Sequence, residues 1–90
     1  MYKKLDRSKA FKKDLRKINF SNEHYSKYAV FLGKLLSSEP LPPEALDHPL
    51  KGNYQGLREL HISGDLLLIY LTTDTELTLI RIGTHSQLFD

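Results

Sequence analysis

Apolar residues recur at helical spacing in two successive segments of the first part of the chain. In the first segment, Ser8 precedes Phe11, Leu15 and Ile18, which would form one narrow apolar stripe on a helix. The second segment begins after Ser21, a residue type that caps helix N-termini. Its apolar positions are Tyr25, Tyr28, Ala29, Leu32, Leu35 and Leu36. This spacing predicts a second helix of about four turns.

The pattern changes to that of strands in the second half of the chain. Three apolar runs occupy Leu57–Ile62, Leu66–Leu71 and Leu77–Ile82. The loops between them, at 63–65 and 73–75, have the length and composition of hairpin turns, so the runs predict an antiparallel meander. Because the middle run is apolar on both faces, we expect the helices to cover one face and the other face to be partly shielded.

The remaining segments are short or irregular. Weak alternation over Met1–Leu5 fits a short strand. Four prolines between Ser38 and Leu50 exclude a long regular element there and leave room for a single turn begun by Pro43 and Glu44. The elements together predict an α+β fold, in which an N-terminal helical hairpin packs on a small, twisted, mainly antiparallel sheet.

Length and composition narrow the class of protein. Ninety residues, or 10.4 kDa, suffice for one domain, so we expect a single domain over 1–90. The absence of cysteine excludes disulfides, thiolate zinc sites and thiol nucleophiles. No apolar stretch is long enough to cross a bilayer, and the glycine patterns of nucleotide-binding loops are absent. We expect a cytoplasmic protein without a membrane contact or a nucleotide cofactor.

Charge is distributed unevenly along the chain. Residues 1–17 hold eight of the thirteen lysines and arginines and only two acidic residues, a balance of +6, whereas the rest of the chain sums to −4. The first predicted helix presents Lys9, Lys12, Lys13 and Lys17 around its apolar stripe. Such a segment is suited to binding a polyanion, because each phosphate contact releases counterions. The alternative is a solvated helix face that binds nothing.

The four histidines and one aspartate are candidates for proton transfer. His24 lies in the first turn of the second helix, where we expect a surface position without function. His61, Asp65 and His85 follow strand ends that can converge, which would place a base and an acid together. With His48, they also form a nominal metal set, but no compact signature supports a metal site.

Two arginines lie within otherwise apolar strands. We expect Arg81 on the same strand face as Leu77 and Leu79, where it could stabilise a phosphoryl transition state. The alternative for Arg81 is an ion pair with Glu59, and for Arg58 we favour structural pairing.

These residues fall into motifs that follow one another along the second half of the chain. The motifs are Asp47-His48-Pro49-Leu50-Lys51-Gly52, Arg58-Glu59-Leu60-His61 with Asp65, Arg81-Ile82-Gly83-Thr84-His85, and Leu88-Phe89. In this order they resemble the YafQ branch of the RelE/ParE superfamily, the toxins of bacterial type II toxin–antitoxin modules. The likeness covers Pro40 to the end of the chain, while the basic helix and the helical hairpin match in architecture only. The resemblance implies a RelE-like fold.

The resemblance also implies a reaction and its residues. It implies a metal-independent endoribonuclease, without a cofactor, in which the 2′-hydroxyl of the RNA attacks the adjacent phosphate. His85 would protonate the leaving 5′-oxygen, and either Asp65 or His61 would act as the base. His48 would assist proton transfer or position the phosphate, and Arg81 would stabilise its charge.

The implied partners are mRNA, in most members on the ribosome, and a cognate antitoxin that silences the enzyme. Operator DNA would be bound only through the antitoxin complex. Phe89, which could be either a core residue or an exposed stacking ring, would help to hold the RNA. Family members can carry an aromatic residue directly after the aspartate that corresponds to Asp65, and this chain has Leu66 there. The base preference of the enzyme is therefore left open.

Two other functions fit the same fold. A ParE-like inhibitor of DNA gyrase would have no need for the histidines. A nucleic-acid-binding module without catalysis would need only the basic helix.

Overall fold

The computed structural model describes residues 2–89, which form three helices and one five-stranded sheet. The helices are α1 (Lys9–Lys17), α2 (Asn22–Leu36) and α3 (His85–Phe89), and single 3-10 turns occupy Pro43–Ala45 and Gly52–Tyr54. The strands are β1 (Lys4–Arg7), β2 (His48–Pro49), β3 (Arg58–Ser63), β4 (Leu66–Thr72) and β5 (Glu76–Thr84). Their order across the sheet is β1-β5-β4-β3-β2, in which only β1 and β5 run parallel. The α+β prediction is therefore confirmed, and β3, β4 and β5 are the predicted meander.

Two edge strands extend the predicted meander. The predicted strand over Met1–Leu5 lies later, at Lys4–Arg7, and Met1 is outside the described residues. β2 arises within the proline-rich connector, which the sequence pattern left irregular apart from one turn. Pro49 is tolerated there because an edge strand does not need every backbone N–H for the sheet. The predicted turn is present at Pro43–Ala45.

Both long helices begin at the serines that the sequence pattern singled out. The Ser8 Oγ accepts a hydrogen bond from the Phe11 N–H at 2.9 Å, and the Ser21 Oγ accepts one from the His24 N–H at 3.1 Å. The predicted buried face of α2 is partly wrong, because Phe31 is its buried residue while Tyr25 and Ala29 are exposed. The Tyr25 ring instead stacks on Phe20 in the preceding loop, with centroids 4.7 Å apart.

The sheet buries apolar side chains on both faces. On one face, α1 and α2 enclose the main core, which includes Phe11, Phe31 and Tyr70. On the other, called the open face below, Leu67 and Ile69 of β4 pack against Leu88 of α3, and Ile80 of β5 and neighbouring loop residues complete the cluster. Leu67 and Ile69 are buried there, whereas Leu71, the next residue of β4 on this side, is 39% exposed, so the prediction of a partly shielded face is confirmed.

A β-bulge between β4 and β5 changes which residues of β5 face the helices. Cross-strand pairing shifts between Ile69 and Tyr70, so that one residue of β5, Ile80, has no partner. As a result, Leu79 and Ile82 both lie in the helix-side core, and Arg81 pairs with Ile69 on the open face. The prediction that Arg81 shares a face with Leu77 and Leu79 is therefore wrong.

The open face is approached closely by α3. An added Cβ at Gly83 would lie 2.9 Å from the Gln87 Oε1 and 3.3 Å from the Leu88 side chain. Glycine at this position thus allows α3 to fold back directly after β5. Within residues 2–89, none of the helices has the length and apolarity that a membrane span requires.

Candidate active site

Strand register brings three of the predicted catalytic residues, together with Glu59, to the open face or its edge. His48 is opposite Glu59, Glu59 is opposite Ile69, and Ile69 is opposite Arg81. His61 is opposite Leu67, which also belongs to the open face. Because cross-strand partners project to the same side of a sheet, β2, β3 and β5 present their polar side chains together.

Glu59 is the centre of the first polar cluster. Its side chain is only 6% exposed, and its Oε1 lies 3.4 Å from the His48 Nε2 and 3.8 Å from the His61 Nε2. The two imidazole centroids are 6.3 Å apart. The Glu59 Oε2 is buried and has no hydrogen-bond partner in the described part of the chain. A buried carboxylate in this position orients the two imidazoles beside it, and acid–base catalysis requires such oriented groups.

The backbone carbonyl of Leu46 and the fixed position of the adjacent Asp47 together orient His48. Its Nδ1 lies 2.6 Å from the Leu46 carbonyl oxygen, which can only accept, so Nδ1 carries a proton. The adjacent Asp47 accepts hydrogen bonds from the Arg58 guanidinium, at 2.9 Å from Nη2, and from the Tyr70 hydroxyl. The bond from Arg58 to Asp47 raises the Arg58 pKa, and the prediction of structural pairing for Arg58 is confirmed.

Arg81 is held by an aspartate of the basic helix. The Arg81 Nε donates to the Asp14 Oδ2 at 2.6 Å, and Nη2 donates to Oδ1 at 3.0 Å. The same carboxylate accepts a hydrogen bond from the Ile82 N–H at 3.1 Å. The predicted alternative, a pair between Arg81 and Glu59, is therefore wrong. Hydrogen bonding to Asp14 raises the Arg81 pKa, and Nη1 remains near the Tyr54 hydroxyl, at 3.4 Å.

A second cluster surrounds α3. The His85 N–H donates to the Asp65 Oδ1 at 3.3 Å, so the β3–β4 turn and the start of α3 meet as predicted. The His85 and Phe89 ring centroids are 4.9 Å apart, and Phe89 packs edge-on against Tyr54 at 5.5 Å. Phe89 is 38% exposed, which leaves part of its ring available for stacking. Tyr54 joins this cluster to Arg81, and its hydroxyl donates to the Leu88 carbonyl at 3.2 Å.

The histidines do not all converge as predicted. Asp65 and His85 lie together, whereas His61 lies beside Glu59 and His48. Among residues 2–89, no three His, Asp or Glu side chains are placed to hold one metal ion. The nominal set of three histidines and Asp65 is thus not assembled.

The structure also brings into the site residues that the sequence pattern did not predict as catalytic or substrate-binding. Glu59 joins His48 to His61. Asp14 holds Arg81, and Tyr54 joins Arg81 to Phe89. His24, predicted to be a surface residue without function, is partly buried and lines a cavity together with Asp65. For Glu59 a signal was present, since a carboxylate within a buried strand needs a partner. The lysines at positions 9, 12, 13 and 17 are exposed, as predicted.

Comparison with known proteins identifies the family. The sequence model of YafQ, a bacterial toxin of type II toxin–antitoxin systems, matches residues 3–90. The chain belongs to the YafQ toxin family. It is 34% identical over 86 residues to the mRNA interferase toxin YafQ of Escherichia coli K12, and the match covers 94% of each chain.

Solved structures of YafQ-family toxins share the fold. The toxin chain in the crystal structure of the Escherichia coli DinJ–YafQ complex superposes with a TM-score of 0.83 at 32% identity, covering 98% of this chain and 99% of that one. A metal-bound toxin from Helicobacter pylori gives the same TM-score at 38% identity, covering 99% of this chain and all of the other. That toxin was solved with a bound metal.

Proposed function

We propose that this YafQ-family toxin is an mRNA interferase, an endoribonuclease that cleaves mRNA by attack of a 2′-hydroxyl on the adjacent phosphate. The observation that carries the proposal is the shared location of Arg81, His85 and the His48–Glu59–His61 cluster around the open face. The reaction needs an acid, a base and a cation, and these side chains supply all three. The E. coli relative is named as an mRNA interferase.

The catalytic roles follow from chemistry and placement. His85 is exposed at the start of α3 and protonates the leaving 5′-oxygen. Asp65, beside the His85 backbone, or His61, beside Glu59, takes the proton of the 2′-hydroxyl. His48 assists this transfer or positions the phosphate, and Arg81 stabilises the negative charge through the part of its guanidinium that Asp14 leaves available.

Binding of the RNA involves the basic helix and the C-terminal ring. The lysines of α1 at positions 9, 12, 13 and 17 are exposed and attract phosphates. Phe89 offers a partly exposed ring on which a base stacks. We place the substrate on the ribosome and the toxin in the cytoplasm, where a cognate antitoxin inhibits it, as a complex of this kind exists for the relative paired with DinJ. Operator DNA is contacted only through that complex.

The decisive experiment separates the toxin from its inhibitor and maps the 5′ ends of RNA with and without ribosomes. The expected products carry a 5′-hydroxyl and a 2′,3′-cyclic phosphate, and without ribosomes the cleavage survives EDTA. Intact transcripts with arrested DNA replication would overturn the proposal in favour of a gyrase inhibitor. RNA binding without any cleavage would overturn it in favour of a binding module.

A further inference from the structure

A cavity of about 410 Å³ lies between the α1–α2 connection, the β3–β4 turn and α3. Ligand sites in proteins have volumes of this order. One wall is formed by Asp65, the residue that accepts the hydrogen bond from the His85 N–H. Its lining also includes His24, which comes from the first turn of α2. The cavity therefore adjoins the proposed catalytic residues without containing the His48–Glu59–His61 cluster.

A second cavity of about 260 Å³ continues the first. Both are lined by Lys17, Ile18 and Gln87, and the second also by Asp14 and Arg81. The two cavities are therefore neighbours at the C-terminal end of α1, and together they are called the α1 groove below. It leads from the Arg81–Asp14 ion pair to Asp65, a path suited to a strand whose phosphate lies near Arg81 and His85.

The lining of the larger cavity combines groups that recognise a nucleotide. Ile18 and Leu66 provide apolar surface for the flat face of a base, and Lys17 provides a positive charge for a phosphate. The Nδ1 of His24 is buried and has no hydrogen-bond partner in the described part of the chain. An unpaired buried nitrogen costs free energy, so a ligand that pairs with this imidazole after a ring rotation would recover it.

Charge favours RNA as the occupant. The groove borders the +6 segment of residues 1–17, and Lys17 of that segment lines both of its cavities. We propose that the α1 groove binds the nucleotide next to the scissile phosphate, with its base beside His24 and its phosphate beside Lys17. This inference rests on the proposed function, because it requires one RNA strand to pass from the groove to His85.

The binding test uses short single-stranded 2′-O-methyl RNA homopolymers of A, C, G and U, which lack the attacking hydroxyl. His24→Phe keeps a ring of similar size but removes both nitrogens. Glu23→Gln changes an exposed neighbour in the same helical turn and serves as the control. We expect His24→Phe to lower affinity for the preferred homopolymer by about 3- to 10-fold, the effect of one hydrogen bond, and Glu23→Gln to have no effect.

A measurement on the wild type keeps the inference testable if His24→Phe does not fold, and a cleavage assay extends the test if it does. In the wild type, binding should shift the backbone amide resonances of residues 17–19, 24 and 64–65. Shifts confined to the neighbourhood of His48 and Glu59 would overturn the groove. In a cleavage assay, His24→Phe should change the base preference at mapped RNA ends, and an unchanged preference with unchanged affinities would also overturn it. Wild-type protein that binds the oligonucleotides in the groove but cleaves no RNA would support the groove and overturn the proposed function.

Discussion

Asp14 of the basic helix binds Arg81 of the last strand through two hydrogen bonds, although 67 residues separate them in the sequence. The carboxylate is largely buried, and its third hydrogen bond comes from the backbone of Ile82. One acidic residue thus fixes both the helix and the arginine that we propose to face the RNA phosphate. The basic helix is for this reason part of the site's architecture as well as a surface for RNA.

Asp14→Asn tests this relationship. The amide keeps the shape of the side chain but leaves Arg81 without its ion-pair partner, so the free energy of unfolding should fall by about 1–3 kcal/mol. The cleavage rate should fall as well, because the guanidinium is no longer held. Asp6→Asn is the control, since Asp6 is exposed and its carboxylate accepts a hydrogen bond from the neighbouring Arg7 N–H. Urea unfolding and RNA cleavage are measured on the same preparations. If Asp14→Asn has the stability and the cleavage rate of the wild type, Asp14 does not position Arg81.

His85→Ala removes the proposed general acid. The leaving 5′-oxygen would then depart unassisted, so the cleavage rate should fall by roughly 10²–10⁴, or about 3–5 kcal/mol of barrier. Growth arrest on expression should vanish with it. If the ring serves only to pack on Phe89, the variant should lose activity only in proportion to lost stability. Melting temperature and rate are therefore compared directly, and a folded variant that cleaves within a few-fold of wild type would transfer the acid role to His48 or His61.

Glu59→Gln tests whether the charge of the Glu59 carboxylate is needed for cleavage or only for the structure. The amide removes the charge between His48 and His61 but preserves the volume, and the cleavage rate should fall by roughly tenfold or more. Because one carboxylate oxygen is buried without a partner, removing the charge should leave the stability within about 1 kcal/mol of wild type. Glu76→Gln, at the exposed start of β5, is the matched control. Unchanged single-turnover cleavage by Glu59→Gln would exclude the carboxylate from the mechanism.

Substituting glutamine for the four exposed lysines of α1, at positions 9, 12, 13 and 17, should weaken RNA binding without unfolding the chain. Fewer counterions are then released on binding, so the dependence of affinity on salt concentration should become shallower. Lys34→Gln, in the last turn of α2, provides the comparison. Affinities measured over a series of salt concentrations test this, and an unchanged slope would show that the basic face is only solvated.

The alkaline limit of stability should depend on Tyr70. Burial, together with the hydrogen bond to Asp47, raises the pKa of Tyr70 well above its ordinary value of about 10. Above a pH of about 10, Tyr70 loses its proton in the unfolded chain but keeps it in the folded protein. The stability of the folded protein should therefore fall as the pH rises. In Tyr70→Phe this fall should be shallower, and at neutral pH the variant should be less stable by about 1 kcal/mol. The free energy of unfolding of Tyr70→Phe and of the exposed control Tyr2→Phe is measured across pH 8–11. If Tyr70 contributed nothing, the two variants would lose stability at the same rate as the pH rises.

Most elements of the fold could be predicted because their signals are local. A serine three residues before a free N–H can cap a helix wherever it occurs, and both Ser8 and Ser21 do so. The apolar runs of β3, β4 and β5 likewise required burial on a sheet whatever their neighbours were. The motifs around His48, His61 and His85 indicated the toxin family for the same reason, since a motif is read from adjacent residues.

The errors that bear on the site concern relationships between distant parts of the chain. The bulge at Ile80 has no signature in the local pattern, yet it moves Arg81 to the face opposite Leu79. Asp14 resembles one more charged residue of a solvated helix until α1 packs on β5. His24 looked exposed because only the approach of the β3–β4 turn and α3 encloses it in a cavity.

The sequence by itself determined where the helices and the meander strands lie, which residues carry the candidate chemistry and which family they indicate. The tertiary structure decided which of these residues meet: His48 and His61 at Glu59, Arg81 at Asp14, and His85 at Asp65. The physical reason is that capping and periodicity depend on neighbours a few residues apart. Strand register, bulges and buried ion pairs depend instead on how distant segments pack, and a side chain acquires its partner only when that packing is complete.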